Sequence, residues 1–162
     1  MIADNKQFVF GKTKLVFSMP AWHGGENSKL GFVLMLAIHY KNECVVHASD
    51  VQGPQWNKAA DWIIKQNPDV LIISGFPTLF LGWRFGKKAL SKANANLIRI
   101  LKQSKVKVIL LDHHIVRDLH YKQKIAEVLQ AAQQQDKQVL TAAEFAGIKP
   151  LFLEARRKEL SS

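Results

Sequence analysis

Aliphatic and β-branched runs alternate along this chain with stretches in which apolar residues recur at helical spacing. The clearest run, V-K-V-I-L-L at residues 106–111, is typical of a strand that is buried on both faces. The predicted strands cover residues 8–10, 14–18, 31–40, 44–50, 69–75, 106–111 and 137–140. The predicted helices cover residues 54–67, 88–103, 117–135 and 151–160, with a further short helix that the capping box T-A-A-E opens at residues 141–144.

The order of these elements predicts an α/β fold with a mixed sheet. The early strands are separated mainly by turns and loops, which favours antiparallel pairing, whereas helices separate the later strands and favour parallel pairing. With 162 residues, of which 48% are hydrophobic and 22% are charged, the chain is long enough to form one hydrophobic core. We therefore predict a single domain over residues 1–162.

Composition also favours a compartment and excludes some kinds of site. The single cysteine, Cys44, excludes an internal disulfide and a cysteine-cluster metal site, and it favours a reducing cytoplasm. No apolar stretch is long enough to span a membrane, and the N-terminal residues lack the pattern of a signal peptide. We therefore expect a cytoplasmic protein without a membrane partner.

The charge of the chain points to an anionic partner. The net charge of +10 favours nucleic acid, phosphate esters or an acidic protein surface, although a solvated basic surface gives the same charge. Residues 76–86 form an aromatic-rich loop, and Lys87 and Lys88 follow it. Such a loop either stacks on a base or folds onto the core, and the sequence leaves both interpretations open.

Two predicted strands end in residues that commonly bind metals. The most apolar strand stops at Asp112-His113-His114, and an earlier strand ends at Asp50. The carboxyl ends of strands in α/β sheets form the edge where sites are built. His23 lies in a loop rich in proline and glycine, where it has little reason to be part of the core. Imidazoles with a bridging carboxylate suit zinc, manganese or iron, but unrelated polar residues at strand ends fit the spacing equally well.

Together these residues resemble the second half of a metallo-β-lactamase-fold hydrolase. In that superfamily a third ligand histidine sits in a loop, a bridging aspartate ends a later strand, and a last histidine ends another strand. The matching segments of this chain are residues 20–24, 48–50 and 111–114. Within that superfamily, the sequence most resembles a family of uncharacterised, mainly archaeal predicted hydrolases. These share the motifs D-H-H-x-x-R-D and T-A-A-E-F, which lie here at residues 112–118 and 141–145. The resemblance covers nearly the whole chain.

The resemblance implies the metal ligands His23, Asp50 and His113, with Asp50 also in the catalytic role of a bridging carboxylate. In the tRNA 3′-processing nucleases of the superfamily, an arginine follows the strand-ending histidine by four residues. His113 stands in that relation to Arg117, so His113 is preferred as the ligand.

The neighbours of His113 are then expected to support the ligands and not to bind the metal. His114, Asp112 and Arg117 are expected to lie behind the ligands, and the Asp112 carboxylate is expected to orient an imidazole.

The activity that the resemblance implies is hydrolysis by a Zn²⁺, Mn²⁺ or Fe²⁺ enzyme, in which metal-generated hydroxide attacks an ester, lactone or phosphodiester. The His-x-His-x-Asp-His motif, which supplies the remaining ligands in that superfamily, is absent from these 162 residues. We therefore expect this chain alone to bind metal weakly or not at all and to have no activity. The alternative is a non-catalytic assembly module or nucleic-acid-binding module.

The resemblance also implies an incomplete fold. The superfamily has an αββα sandwich, and this chain resembles one half of it, with helices mainly on one face of a mixed sheet. An uncovered apolar sheet face favours a homodimer or a separately encoded N-terminal half as the partner.

Overall fold

The computed structural model describes residues 3–161, which form an α/β fold around a seven-stranded mixed sheet. The strands are β1 (Gln7–Phe10), β2 (Thr13–Phe17), β3 (Ala21–Trp22), β4 (Phe32–Val33), β5 (Leu36–Tyr40), β6 (Glu43–His47), β7 (Val70–Ile73), β8 (Val108–Leu111) and β9 (Gln138–Thr141). The helices are α1 (Asn57–Gln66), α2 (Lys87–Gln103), α3 (Tyr121–Lys124), α4 (Ala126–Gln133), α5 (Ala142–Phe145) and α6 (Arg157–Leu160). Short 3-10 turns occur at Thr78–Phe80 and Ile115–Arg117.

The main sheet follows the order β1-β2-β5-β6-β7-β8-β9, and β3 pairs with β4 in a separate two-stranded sheet. Pairing is antiparallel from β1 to β6 and parallel from β6 to β9. The predicted α/β class and the predicted change from antiparallel to parallel pairing are therefore confirmed. Among residues 3–161, none of the helices combines the length and apolar character that crossing a membrane requires.

One face of the sheet forms the hydrophobic core. Along β7, residues alternate between half-buried and fully buried positions, which is the period of two that strand geometry imposes. The buried positions of neighbouring strands align in a row and belong to the same core as the apolar sides of α1, α2 and α4. This row consists of Ala37, Val46, Leu71 and Ile109.

The other face of the sheet is also apolar, but its side chains are half-buried or exposed. We call it the partly exposed face and define it by two cross-strand rows. The first row is Leu15, Ile38, Val45, Val70 and Val108. The second row includes Leu36, Ile72, Leu110 and Leu140. The sheet therefore has one fully packed face and one face with accessible aliphatic side chains.

Cys44 lies on the packed face of β6. Its backbone N–H donates a hydrogen bond to Asp69 Oδ2 at 2.9 Å, which ties β6 to the start of β7. Only 2% of the Cys44 side chain is exposed. Burial, with a smaller contribution from Asp69, raises the pKa of the Cys44 thiol to about 11 although Lys105 lowers it.

Three predicted elements differ in the structure. The strand predicted at residues 31–40 is divided between β4 and β5, which belong to different sheets. The helix predicted at residues 117–135 begins only at Tyr121 and is divided at Ile125 into α3 and α4. Before it, the Asp118 carboxylate accepts the His120 N–H at 2.9 Å and the Lys124 ammonium at 2.6 Å. A side chain that bonds nearby groups in this way competes with helical hydrogen bonds.

At residues 151–160 only α6 is helical, because the left-handed backbone of Phe152, with φ 51°, is incompatible with a continuous α-helix. The capping box predicted at residues 141–144 is confirmed. The Thr141 side chain accepts the Glu144 N–H, and the Glu144 carboxylate accepts the Thr141 N–H at 2.8 Å.

Candidate metal site

Asp50 lies in a tight turn after β6, at the carboxyl edge of the parallel part of the sheet. Ser49 and Gln52 adopt left-handed backbone conformations, which reverse the chain on either side of Asp50. The end of β7 holds this turn in place, because Ser74 Oγ accepts the Gln52 N–H at 3.2 Å and the Ser74 N–H donates to Ser49 O at 3.3 Å. The carboxylate of Asp50 therefore has a fixed position on the sheet edge.

His114 reaches the same edge from the end of β8. The His114 N–H donates to Ser74 O at 3.1 Å, and the buried side chain of Ile115 then closes against Gly75. A Cβ atom on Gly75 would lie 2.8 Å from Ile115 Cβ, and the φ of Gly75 is +74°. Glycine is therefore required at this position for the turn after β8 to approach β7.

His23 enters the site from the loop between β3 and β4. Its N–H donates to Gly31 O at 3.0 Å, and the loop packs directly on the Asp50 turn. At Gly24, where φ is +96°, a Cβ atom would lie 2.6 Å from Gln52 Oε1. The positive φ favours glycine at this position, whereas the overlap involves the end of the Gln52 side chain, which could move aside.

The three side chains meet around the Asp50 carboxylate. His23 Nε2 lies 2.8 Å from Asp50 Oδ2, and His114 Nε2 lies 2.8 Å from Asp50 Oδ1. One ligand atom from each of these residues falls within 4.8 Å of the others. His113 is farther away, with Nε2 3.6 Å from Asp50 Oδ2 and Nδ1 3.2 Å from Asp112 Oδ2.

The ring nitrogens of His23 and His114 lie within ion-pair distance of the Asp50 carboxylate. Asp50 Oδ1 and both ring nitrogens of His114 are buried and have no hydrogen-bond partner among residues 3–161. The short distance between His114 Nε2 and Asp50 Oδ1 is therefore an approach without hydrogen-bonding alignment. Ligand atoms that each lie about 2.0–2.2 Å from one tetrahedral zinc ion are about 3.3–3.6 Å apart, so small outward shifts of the two imidazoles would let this arrangement share a cation.

The electrostatics of the cluster favour a charged carboxylate. Burial by itself would raise the pKa of Asp50, but His114, His23 and His113 lower the pKa to about 2. Asp50 is therefore an anion at neutral pH. It offers one negative charge and two oxygen atoms to a hard or borderline cation.

Of the residues predicted for the site, His23 and Asp50 come together, and His114 joins them more closely than His113 does. The side chain of His114 is 12% exposed, whereas that of His113 is 43% exposed and contacts Asp112. Arg117 ends the 3-10 turn after β8 and forms no ion pair with any residue that the structure describes. Sequence reasoning missed Ser74 and Gly75, which hold the Asp50 turn and the His114 turn, and their only signal was the two small residues at the end of a predicted strand.

No protein-family model matches the chain. The chain is similar to archaeal proteins that are named UPF0282 protein, among them the proteins of three species. The identities are 45% over 159 residues with the protein of Methanopyrus kandleri, 43% over 159 residues with that of Pyrococcus horikoshii, and 40% over 158 residues with that of Methanocaldococcus jannaschii. Each match covers 98% of this chain.

The UPF0282 relatives are longer than this chain. The same three matches cover 52%, 48% and 50% of the relatives, so the chain spans about half the length of the curated relatives that it matches. UPF0282 proteins are mainly archaeal and uncharacterised. The predicted similarity to an uncharacterised, mainly archaeal family is confirmed to that extent.

The carboxyl edge of the sheet yields a testable expectation about stability. We expect Gly75→Ala to destabilise the protein by about 1–3 kcal/mol, because the added methyl group overlaps Ile115 and the residue must keep a positive φ. Urea unfolding at neutral pH measures the change. Gly82→Ala is the matched control, because Gly82 also has a positive φ, +89°, but its Cβ atom would meet nothing within 4 Å. Equal losses in the two variants would contradict the close approach of Ile115 to Gly75.

Proposed function

We propose that this chain is the metal-binding half of a metallo-β-lactamase-fold hydrolase, with His23, Asp50 and His114 as its metal ligands. The observation that carries the proposal is the convergence of three donors from three separate loops on one partly buried point. Their distances and the missing hydrogen bonds of Asp50 Oδ1 and His114 Nε2 fit a shared cation.

Two features of the fold support half of an αββα sandwich. The helices pack against one face of a mixed sheet, while the partly exposed face carries aliphatic side chains that a second layer would cover. The UPF0282 relatives are about twice as long as the matched segment, which leaves room in them for such a layer.

The residues at this site have different proposed roles. The Asp50 carboxylate supplies the negative charge, and His23 and His114 supply neutral donors from opposite sides of it. A Zn²⁺, Mn²⁺ or Fe²⁺ ion held there would polarise an ester or phosphate oxygen and would lower the pKa of a water molecule. His113 lies at the accessible rim, where its Nε2 can accept or donate a proton, and Asp112 orients its ring through Nδ1.

Metal binding, and not hydrolytic activity, is the test of this proposal. The chain supplies three proposed ligands, but it lacks the His-x-His-x-Asp-His motif that we expect hydrolysis to require. We expect the purified chain to bind at most one zinc ion per molecule and to release it readily to a chelator. A catalytic zinc site normally has three protein ligands, and removal of one is expected to weaken binding by at least about tenfold. Equilibrium dialysis followed by elemental analysis measures the stoichiometry and the affinity.

Three histidine variants separate the possible ligands. His114→Ala is expected to abolish the weak binding, and His113→Ala is expected to reduce it by less, because His113 lies farther from Asp50. His120→Ala is the matched control, since His120 is exposed and lies outside the cluster. Binding that needs His113 but not His114 would favour the ligand choice that the Arg117 spacing implied. A chain that binds no metal under any condition would favour a non-catalytic module.

A further inference from the structure

Positive charge is concentrated in one part of the chain. Residues 70–111 contain eight lysines and arginines and no aspartate or glutamate. Three of the eight are paired with acidic residues outside that segment, namely Arg99 with Asp61, and Lys105 and Lys107 with Asp69. Four others follow one another along the loop before α2 and its first turns, and they form no ion pair with a described residue. We call these four, Arg84, Lys87, Lys88 and Lys92, the basic strip.

The loop next to the basic strip presents an aromatic ring to solvent. Trp83 is 82% exposed, and its main neighbour is the ring of Phe80, at 5.7 Å between centroids. Backbone hydrogen bonds fix the loop, since the Gly82 N–H donates to Phe85 O at 2.9 Å and the Arg84 N–H donates to Phe80 O at 2.9 Å. The indole ring is therefore held outward by an ordered turn.

The aromatic residues of this loop have different environments. Phe76 is buried, and its ring packs edge-on against Phe85 with centroids 5.4 Å apart, so these two rings anchor the loop to the core. Trp83 makes no comparable contact with the core. Of the two interpretations that the sequence left open, packing onto the core describes Phe76 and Phe85, and an accessible stacking surface describes Trp83.

This surface lies at the same sheet edge as the candidate metal site. The loop follows the carboxyl end of β7, and Phe76 packs closely against Gly53, three residues after Asp50. Helix α2 begins at Lys87, so the first lysines of the basic strip are also at this edge. Lys92 follows Lys88 by four residues and therefore continues the strip along one side of the helix.

We infer that Trp83 and the basic strip form a binding surface for single-stranded nucleic acid. Lysine and arginine side chains without acidic partners neutralise phosphates, and an exposed indole stacks on a base whose face is free. In a duplex both faces of each base are already stacked, so the indole would favour a single strand. Stacking and phosphate contacts do not discriminate among bases, so we expect little sequence preference. The further step, that the bound strand is also the substrate, rests on the proposed hydrolase function.

Binding is tested with the full chain and fluorescein-labelled RNA and DNA single strands of about 12 nucleotides, a length within the site sizes of such proteins. Fluorescence anisotropy is expected to show similar affinities for both strands and a lower affinity for a duplex of the same length. Trp83→Ala is expected to weaken single-strand binding by roughly 5- to 150-fold, the effect of losing one stacked base. Trp83→Phe keeps an aromatic face and is expected to weaken binding less.

The charge contribution is measured separately. The double variant Lys87→Ala with Lys88→Ala is expected to reduce the slope of log affinity against log salt concentration by about 1.4, because each lost phosphate contact contributes about 0.7 for a single strand. Lys12→Ala with Lys14→Ala is the matched control, since it removes the same charge from the exposed β1–β2 hairpin. It is expected to change the slope much less.

Three results would overturn the inference: full affinity of Trp83→Ala, equal losses in the two double-lysine variants, or tighter binding to duplex than to single strands. If the wild-type protein bound phosphatidylserine vesicles more tightly than single strands, and Trp83→Ala weakened that binding, the surface would be assigned to a membrane instead. The assay is run in chelator and repeated with His114→Ala, so that nucleic acid binding is scored without metal. Binding that survives in both cases, together with a failure to bind zinc in the dialysis experiment, would favour a non-catalytic module over the proposed hydrolase and leave the nucleic acid surface intact.

Discussion

Asp50→Asn is expected to abolish the stabilisation of this protein by zinc. His23 and His114 approach the Asp50 oxygens at 2.8 Å, so Asp50 is the one of the three proposed ligands that contacts both of the others. The amide has no negative charge and replaces one oxygen with a nitrogen that cannot bind a cation. Zinc at 100 times its dissociation constant stabilises a protein by about 2.7 kcal/mol, which for a chain of this size raises the melting temperature by roughly 5–10 °C.

Differential scanning fluorimetry with and without zinc measures this shift. Asp112→Asn is the matched control, because Asp112 is an exposed carboxylate in the same region that contacts His113 and not the cluster. That variant is expected to keep the full zinc-dependent shift. If Asp50→Asn also kept it, the bound ion would lie elsewhere and the proposed ligands would be wrong.

The isolated chain is expected to form a homodimer through the partly exposed face of its sheet. Aliphatic side chains from five neighbouring strands line up there, and Ile38 near the middle is 36% exposed. Contiguous apolar surface of this kind is uncommon on a monomer. The longer relatives contain about as much additional sequence as this segment, and in a solution of the isolated chain a second copy is the available partner of that size. A two-fold axis would place the two faces against each other.

Ile38→Lys is expected to weaken the dimer by at least about 100-fold, because an unpaired ammonium group would be buried at the interface. Multi-angle light scattering across micromolar concentrations measures the change. Val9→Lys is the matched control, since Val9 is also an exposed aliphatic residue of the sheet but points to the opposite side from the Ile38 row. A wild-type chain that is monomeric throughout this range, without aggregation, would contradict the dimer.

Much of the fold could be predicted because local patterns determine it. The early strands are connected by short turns, which allow antiparallel pairing. Apolar residues at helical spacing in residues 54–67 and 88–103 predict helices between the later strands, and such helical connections place those strands in parallel. The prediction was wrong where side chains override local pattern. Asp118 forms hydrogen bonds with His120 and Lys124 just before the helix begins at Tyr121, and no hydrophobic period reveals such a bond.

The loops that form the candidate site could be predicted, but which of two adjacent histidines lies nearer to Asp50 could not. His23 and Asp50 have no competing neighbour of the same type, whereas His113 and His114 are adjacent, with ring centroids 4.4 Å apart, and both approach Asp50, at 3.6 Å and 2.8 Å. Which of them points inward depends on the turn that Ile115 makes against Gly75. That contact joins residues 40 positions apart, so spacing to Arg117 could not reveal it.

The reactivity of the buried Cys44 thiol can report on local opening of the sheet. Because it is the single cysteine and its thiol is inaccessible with a raised pKa, a thiol reagent can modify it only when the packed face of β6 becomes accessible. The modification rate, compared with that of the unfolded chain, then gives the free energy of that opening in the native state. Ligands that tighten the carboxyl edge of β6 would slow the reaction, and ligands that bind without affecting this part of the sheet would leave it unchanged.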